Sequence, residues 1–300
     1  MLQIEVHSLR NSRHLVNISA KGAQLLNWTC HSALNGTKWN QEKSVLWVVD
    51  DAFWNRVAPV LFPIVGRLKD DQYIHNGDTF EMKQHGFARD AEFECLEQSE
   101  NSVLFQLNSN KATLEAFPFY FTLQIRYTLS EVGLIVEQTV TNTSRGSSLP
   151  FSIGAHPGFH TPHKTERYSI QIDGLQEPIR HLIKDGVYTG ETEVLETHSG
   201  NQIALSDALF ESDAIVFKQS GISSMCILED NIPLVKLSVE TKAPYWGVWK
   251  KPGAPFLCLE PWWGIADHTN ASGILTEKEG MMYLNPGASQ SFTYQMEYLQ

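Results

Sequence analysis

Basic residues are scarce: 23 Lys and Arg stand against 34 Asp and Glu, for a formal net charge of −11. No basic run carries interleaved aromatics, so a nucleic-acid partner is not expected. Cysteine is sparse as well. Cys30, Cys95, Cys226 and Cys258 lie far apart and form no C-x-x-C pair, which argues against zinc knuckles and redox pairs. No apolar run approaches the length of a membrane span, and the opening MLQIEVHSLR lacks the basic-then-apolar order of a signal peptide. The expected setting is therefore the cytoplasm, with no membrane partner and reduced thiols. G-x-G-x-x-G, the P-loop and G-x-S-x-G are all missing, so nucleotide binding and serine hydrolysis lose their usual signatures. Helical periodicity is rare: only residues 110–116 and 205–210 suggest short helices.

What the chain has in quantity is short alternating stretches. Residues 119–129 place Phe, Phe, Leu, Ile, Tyr and Leu at odd positions, with Tyr, Thr, Gln, Arg and Thr between them. A strand sends those two sets to opposite faces. Leu134, Val136 and Val140 repeat the pattern, as do Tyr168, Ile170 and Ile172, and Phe292, Tyr294, Met296 and Tyr298. Further strands are expected near residues 2–6, 14–20, 23–28, 46–54, 72–75, 214–217, 225–228 and 234–239, with a turn-rich span over 31–43. Residues 245–249 and 256–260 are joined by a hairpin-like loop, 250–255. Long helices do not alternate with the strands, so the economical architecture is all-β: one large antiparallel sandwich over residues 1–300 with a few short helices.

Four stretches differ from ordinary core or loop. FPIVGR ends an apolar, proline-punctuated run at Arg67, whose five donors suit a polyhydroxyl ligand or an anion. QHGFARD places His85 before Gly86, which suggests close backbone approach, and Arg89 beside Asp90. GAHPGFH holds His156 extended before Pro157, with Phe159 as a flat apolar wall. FLCLEPWWG carries Glu260 on the face of Phe256 and Cys258, where an unpaired carboxylate is costly. Pro261 is expected to stop that strand, and Trp262 and Trp263 add two aromatic faces suited to sugar rings. Each stretch alone also has a plainer reading: a rim arginine in an ion pair, a local Arg–Asp pair, a turn histidine, an edge glutamate beside core tryptophans. His156, His160 and His163 do not make a metal site by spacing, because Pro157 and Pro162 interrupt any helical arrangement.

In chain order FPIVGR, HGFAR, GAHPGF, LEPWWG and a closing LNPGAS resemble the aldose 1-epimerase (galactose mutarotase) family, and most closely its short bacterial LacX-like branch. The resemblance implies a large antiparallel β-supersandwich, a cleft on one sheet, a small sugar as substrate, and no metal or organic cofactor. It implies His156 as the acid and Glu260 as the base, Arg67 and His85 as sugar-binding groups, and Asp213 as a holder of ring hydroxyls. Arg89 matches an extra basic group of the sugar-phosphate branch. The family's Asn-Arg, His-Gly-Gly and His-x-Tyr-Phe patterns are here Gly66-Arg67, His85-Gly86-Phe87 and the run 156–159, a departure that leaves the preferred sugar open.

On this reading Glu260 takes the proton of the C1 hydroxyl while His156 protonates the ring oxygen. The nearby carboxylate is expected to favour charged His156. Two other readings stay open: a hexose-phosphate mutarotase using Arg67 and Arg89, and a non-catalytic sugar-binding or sensor protein on the same scaffold. Glycoside hydrolysis fits less well, since it usually needs two flanking carboxylates. Oligomeric state has no signature in the sequence.

Overall fold

A computed structural model describes residues 5–31, 42–198 and 200–300. Two large antiparallel sheets dominate. The nine-stranded sheet is centred on Ser289–Tyr298, Gly133–Asn142 and Phe121–Leu129, which pair in that order. The eight-stranded sheet runs Val187–Val194, Ile179–Lys184, Ile215–Phe217, Tyr245–Trp249, Phe256–Trp263, Ile153–Ala155 and Val60–Leu61, with Gly158–His160 also paired to Phe256–Trp263. A four-stranded sheet, Val6–Arg10 to Glu42–Ser44, packs its apolar face into the same core.

Alternation decides which face is buried. Phe121–Leu129 buries every odd residue, as its sequence predicts. The two large sheets meet through side chains such as Trp263 and Phe292, with ring centroids 5.1 Å apart, and Phe62 and Phe121, 5.0 Å apart. Trp263 therefore points into the sandwich, and Phe256, Cys258, Glu260 and Trp262 share the opposite face of their strand. In the neighbouring Tyr245–Trp249 strand, Trp246 and Val248 are fully buried in the core, while Trp249 faces the same side as Glu260.

Several expectations change. Pro261 does not end its strand, which continues to Trp263. Leu259 donates its backbone N–H to the Pro157 carbonyl at 3.3 Å, so the Pro261 nitrogen, two residues on, faces the same side. On that side Gly158–His160 pairs with residues 256–258 and Ile153–Ala155 with 262–263, and Pro261 sits in the gap between them, where no donor is required. Residues 46–54 are not a strand. Leu46 makes one bridge to Phe159, and Asp50 then turns the chain by accepting from the N–H groups of Ala52, Phe53 and Trp54. The first helical stretch is Lys111–Ala116, capped by Asn110 and Thr113 in reciprocal bonds of 3.1 and 2.8 Å; the second is a single 3-10 turn, Asp207–Phe210. Leu2 and Ile4, and the 32–41 part of the turn-rich span, lie outside the described residues. Among the described residues no helix is long and apolar enough to cross a membrane, and the four cysteines are unbridged.

Candidate active site

A cleft of about 530 Å³ opens on the outer face of the eight-stranded sheet. At its floor, Nε2 of His156 lies 3.2 Å from Oε2 of Glu260, with side chains 10 % and 1 % exposed. The strand interruption explains the contact. Residues 156 and 157 link two short strands that pair with the same side of Phe256–Trp263, and the extended residue before Pro157 turns its imidazole onto the Glu260 face. Neither oxygen of Glu260 has a hydrogen-bond partner, nor does Nδ1 of His156.

Burial controls the charges here. It pushes the Glu260 carboxyl well above its ordinary 4.5, opposed by the nearby Trp262 indole, whose N–H falls short of hydrogen-bond geometry, and assisted by the negative charge of Asp213. It pushes His156 down to about 3, an effect its own backbone opposes and the Arg89 charge reinforces. The expectation that the carboxylate would favour charged His156 is not met: burial disfavours the charged form of both groups, holding His156 neutral and Glu260 protonated.

His85 stands beside this pair, its ring centroid 5.7 Å from that of His156 in an edge-on arrangement. Its Nδ1 accepts from the Gly66 N–H at 3.1 Å, and burial holds its pKa well below 6.5, so it is neutral. Its backbone is left-handed (φ 65°), and Gly86 follows at φ 70°. A Cβ on Gly86 would stand 2.3 Å from the Phe62 carbonyl oxygen, the close approach that the sequence suggests. Asp213 reaches the cleft from a strained backbone (φ 112°), its Oδ1 accepting from the Ala214 N–H at 2.7 Å and its pKa raised by burial. Trp262 and Arg89 also line the cleft. Arg89 donates to the Gln84 carbonyl at 2.6 Å and has its pKa lowered to about 10 by burial and by Arg56. Its expected partner Asp90 is held mainly by Arg56, at 2.8 Å against 4.0 Å for Arg89.

Two predicted site residues are elsewhere. Phe159 is fully buried and bridged to Leu46, because strand alternation turns it into the sandwich rather than outward. Arg67 sits at the rim with a two-pronged bond to Asp71 (2.7 and 2.6 Å) and a third to the Asp185 carbonyl (2.9 Å), the plainer reading of that residue. It nonetheless supports the cleft wall, since its side chain packs against Gly186. Sequence reasoning passed over Trp54, Trp249 and Gln84 as site residues. Trp54 and Trp249 flank His156 with centroids 5.0 and 5.7 Å away. Gln84 adjoins the histidine motif; Trp249 ends an alternating strand, whereas no local pattern points Trp54 at the cleft.

A family model described as aldose 1-epimerase matches residues 5–297. The chain is 28 % identical over 277 residues to the chromosomal protein LacX of Lactococcus lactis subsp. lactis, covering 85 % of this chain and 89 % of that one. A crystal structure of a galactose mutarotase related enzyme from Lactobacillus acidophilus superposes with a TM-score of 0.88 at 32 % identity, over 99 % of this chain and 98 % of that one. A galactose mutarotase-like protein from Lactobacillus casei gives 0.89 at 28 % identity, over 98 % and 100 %.

Proposed function

The chain belongs to the aldose 1-epimerase family, and on that premise we propose that it interconverts the α and β anomers of a free aldohexose, with Glu260 and His156 as the acid–base pair. The observation that carries this reading is the 3.2 Å contact between two oppositely acting groups, both buried at the floor of a cleft and both with unsatisfied polar atoms.

Ring opening needs one proton removed from the C1 hydroxyl and one added to the ring oxygen. The pair holds one proton. Sugar hydroxyls donating to Glu260 stabilise its carboxylate, so the proton moves across the short contact to His156. Glu260 then takes the C1 hydroxyl proton, the bond from C1 to the ring oxygen breaks with its electrons going to oxygen, and His156 delivers its proton there. Rotation about C1–C2 and reclosure with the roles reversed give the other anomer. Neutral His85 and the Asp213 carboxyl hold ring hydroxyls, and Trp262, Trp54 and Trp249 offer apolar faces to the ring.

An uncharged sugar is favoured over a sugar phosphate. Arg67 is already bound to Asp71, and Glu211 and Asp213 add carboxyl groups to the cleft wall; Arg89, which lines the cleft with no hydrogen-bond partner on its Nε, is the group that speaks for a phosphate. The test is anomer exchange by polarimetry or NMR with the purified protein, on glucose, galactose and glucose 6-phosphate. Exchange on the free sugars is expected, with loss of roughly 10²- to 10⁴-fold in kcat in His156→Ala and in Glu260→Gln. Undiminished exchange in both variants would overturn the assignment, and sugar binding without exchange would favour a sensor.

A further inference from the structure

Cys258 stands two residues before Glu260 on the same face of the Phe256–Trp263 strand, so alternation brings its thiol to the catalytic pair. Ligand atoms of His156, Cys258 and Glu260 all lie within 4.8 Å of one another, and all three residues are buried. The proton transfers above use no thiol. Both oxygens of Glu260 lack hydrogen-bond partners. The three groups offer one nitrogen, one sulfur and one oxygen; His156 and Glu260 line the cleft, and Cys258 is fully buried beside them.

We propose that His156, Cys258 and Glu260 form a binding site for a zinc-like divalent ion, and that the ion inhibits the protein rather than serving it. The site itself follows from the geometry; its inhibitory effect rests on the reading of His156 and Glu260 as the acid–base pair. The donor set matches zinc, which takes thiolate, imidazole and carboxylate together, and the soft thiolate selects against magnesium and calcium. Tetrahedral zinc with these ligands places donor atoms roughly 3.3–3.6 Å apart, so from within 4.8 Å the widest pair converges by at most roughly 1.5 Å. His156 and Glu260 both line the cleft, the side from which a fourth ligand would come.

Charge works both ways: burial and the neighbouring Glu260 raise the Cys258 thiol well above its ordinary 9.0, so the ion must displace its proton, and the loaded site is then neutral overall. Binding releases two protons to solvent, one from the Cys258 thiol and the one shared by His156 and Glu260. Thiolate and carboxylate then cancel the two positive charges of the ion, leaving a neutral cluster in a buried place. The loaded protein has no carboxylate free to accept the C1 proton and no imidazole proton to give.

The test uses cadmium as a spectroscopic probe and zinc as the inhibitor. Cys95 and Cys226, which are partly exposed, are first replaced by serine to remove competing thiols. In that background one equivalent of cadmium is expected to give a near-ultraviolet thiolate charge-transfer band. Cys258→Ser should abolish it. Glu260→Gln keeps the thiol and should weaken cadmium binding by roughly 10- to 100-fold, the scale seen even for partners beyond the ligands. Zinc should suppress anomer exchange reversibly, with a chelator restoring it. The inhibiting concentration should rise at least about tenfold in Cys258→Ser, each variant being compared with its own zinc-free rate. A missing band, or a band that survives Cys258→Ser, overturns the site. A cadmium band in a protein without anomer exchange upholds the site and overturns the proposed function instead.

Discussion

Glu260 and His156 keep one proton between them, and the pH dependence of the protein follows from counting it. In the fold His156 charges only near pH 3, and Glu260 keeps its proton well above 4.5. The unfolded chain has ordinary values near 4.5 and 6.5, so it binds two protons below about 4.5, one up to about 6.5, and none above. Folded and unfolded counts match between those values. Above about 6.5 the unfolded chain binds fewer protons, and stability falls as pH rises, by up to about 1.4 kcal/mol per pH unit. Below about 4.5 the unfolded chain binds more, and stability falls as pH drops. Thermal melts should therefore show Tm declining as pH rises above 6.5 towards the raised Glu260 pKa, with a smaller decline in Glu260→Gln; equal slopes in the two proteins would remove Glu260 from the account. The pH–rate profile carries the same signature. Its acid limb should lie well below 6.5, and a midpoint at 6.5 would show that burial does not govern His156. At this scale the sequence showed which residue types meet, because Pro157, Gly158 and Pro261 mark their positions. It did not show their charges, which depend on how completely distant elements cover them. Arg67 and Phe159 failed for a related reason: a partner such as Asp71, or the inward face of a two-residue alternation, has no mark in the motif itself.

Strand Phe256–Trp263 is the element on which the cleft depends, and its neighbours fit it closely. The Trp262 indole lies across both flanking strands at glycines. A Cβ on Gly247 would stand 2.6 Å from Trp262 Cζ2, and one on Gly154 would stand 2.9 Å from Trp262 Cδ1. Overpacking of this kind costs about 1–3 kcal/mol. Gly247→Ala should lower Tm and, by tilting an aromatic face of the cleft, raise KM more than it lowers kcat. A kcat loss with unchanged KM would place the strain on the acid–base pair instead. The faces of this strand were legible from its alternation; its length was not. A proline in a strand is a stop signal unless the ladder is open on one side, and that opening belongs to residues 153–160, a hundred positions earlier. Residues 46–54 mislead in the opposite sense, because apolar Leu46 and Trp47 suggest a strand where Asp50 sets a turn.

Across the whole molecule, the cleft draws on residues from 54 to 266, most of the span of the described chain. The all-β class was legible because each strand announces itself locally. The order of strands in the two sheets was not, since pairing between remote segments leaves no trace in either one.

The gap beside Pro261 has a kinetic side. His156 and Glu260 are roughly one hundred residues apart, and they meet only after Phe256–Trp263 has docked on both sides of the gap. Closing so large a loop is slow compared with forming the hairpin of Tyr245–Trp249 and Phe256–Trp263. On dilution from denaturant, strand content seen by circular dichroism should return before anomer exchange does. Simultaneous recovery would mean that the pair assembles with the first sheet contacts rather than after them.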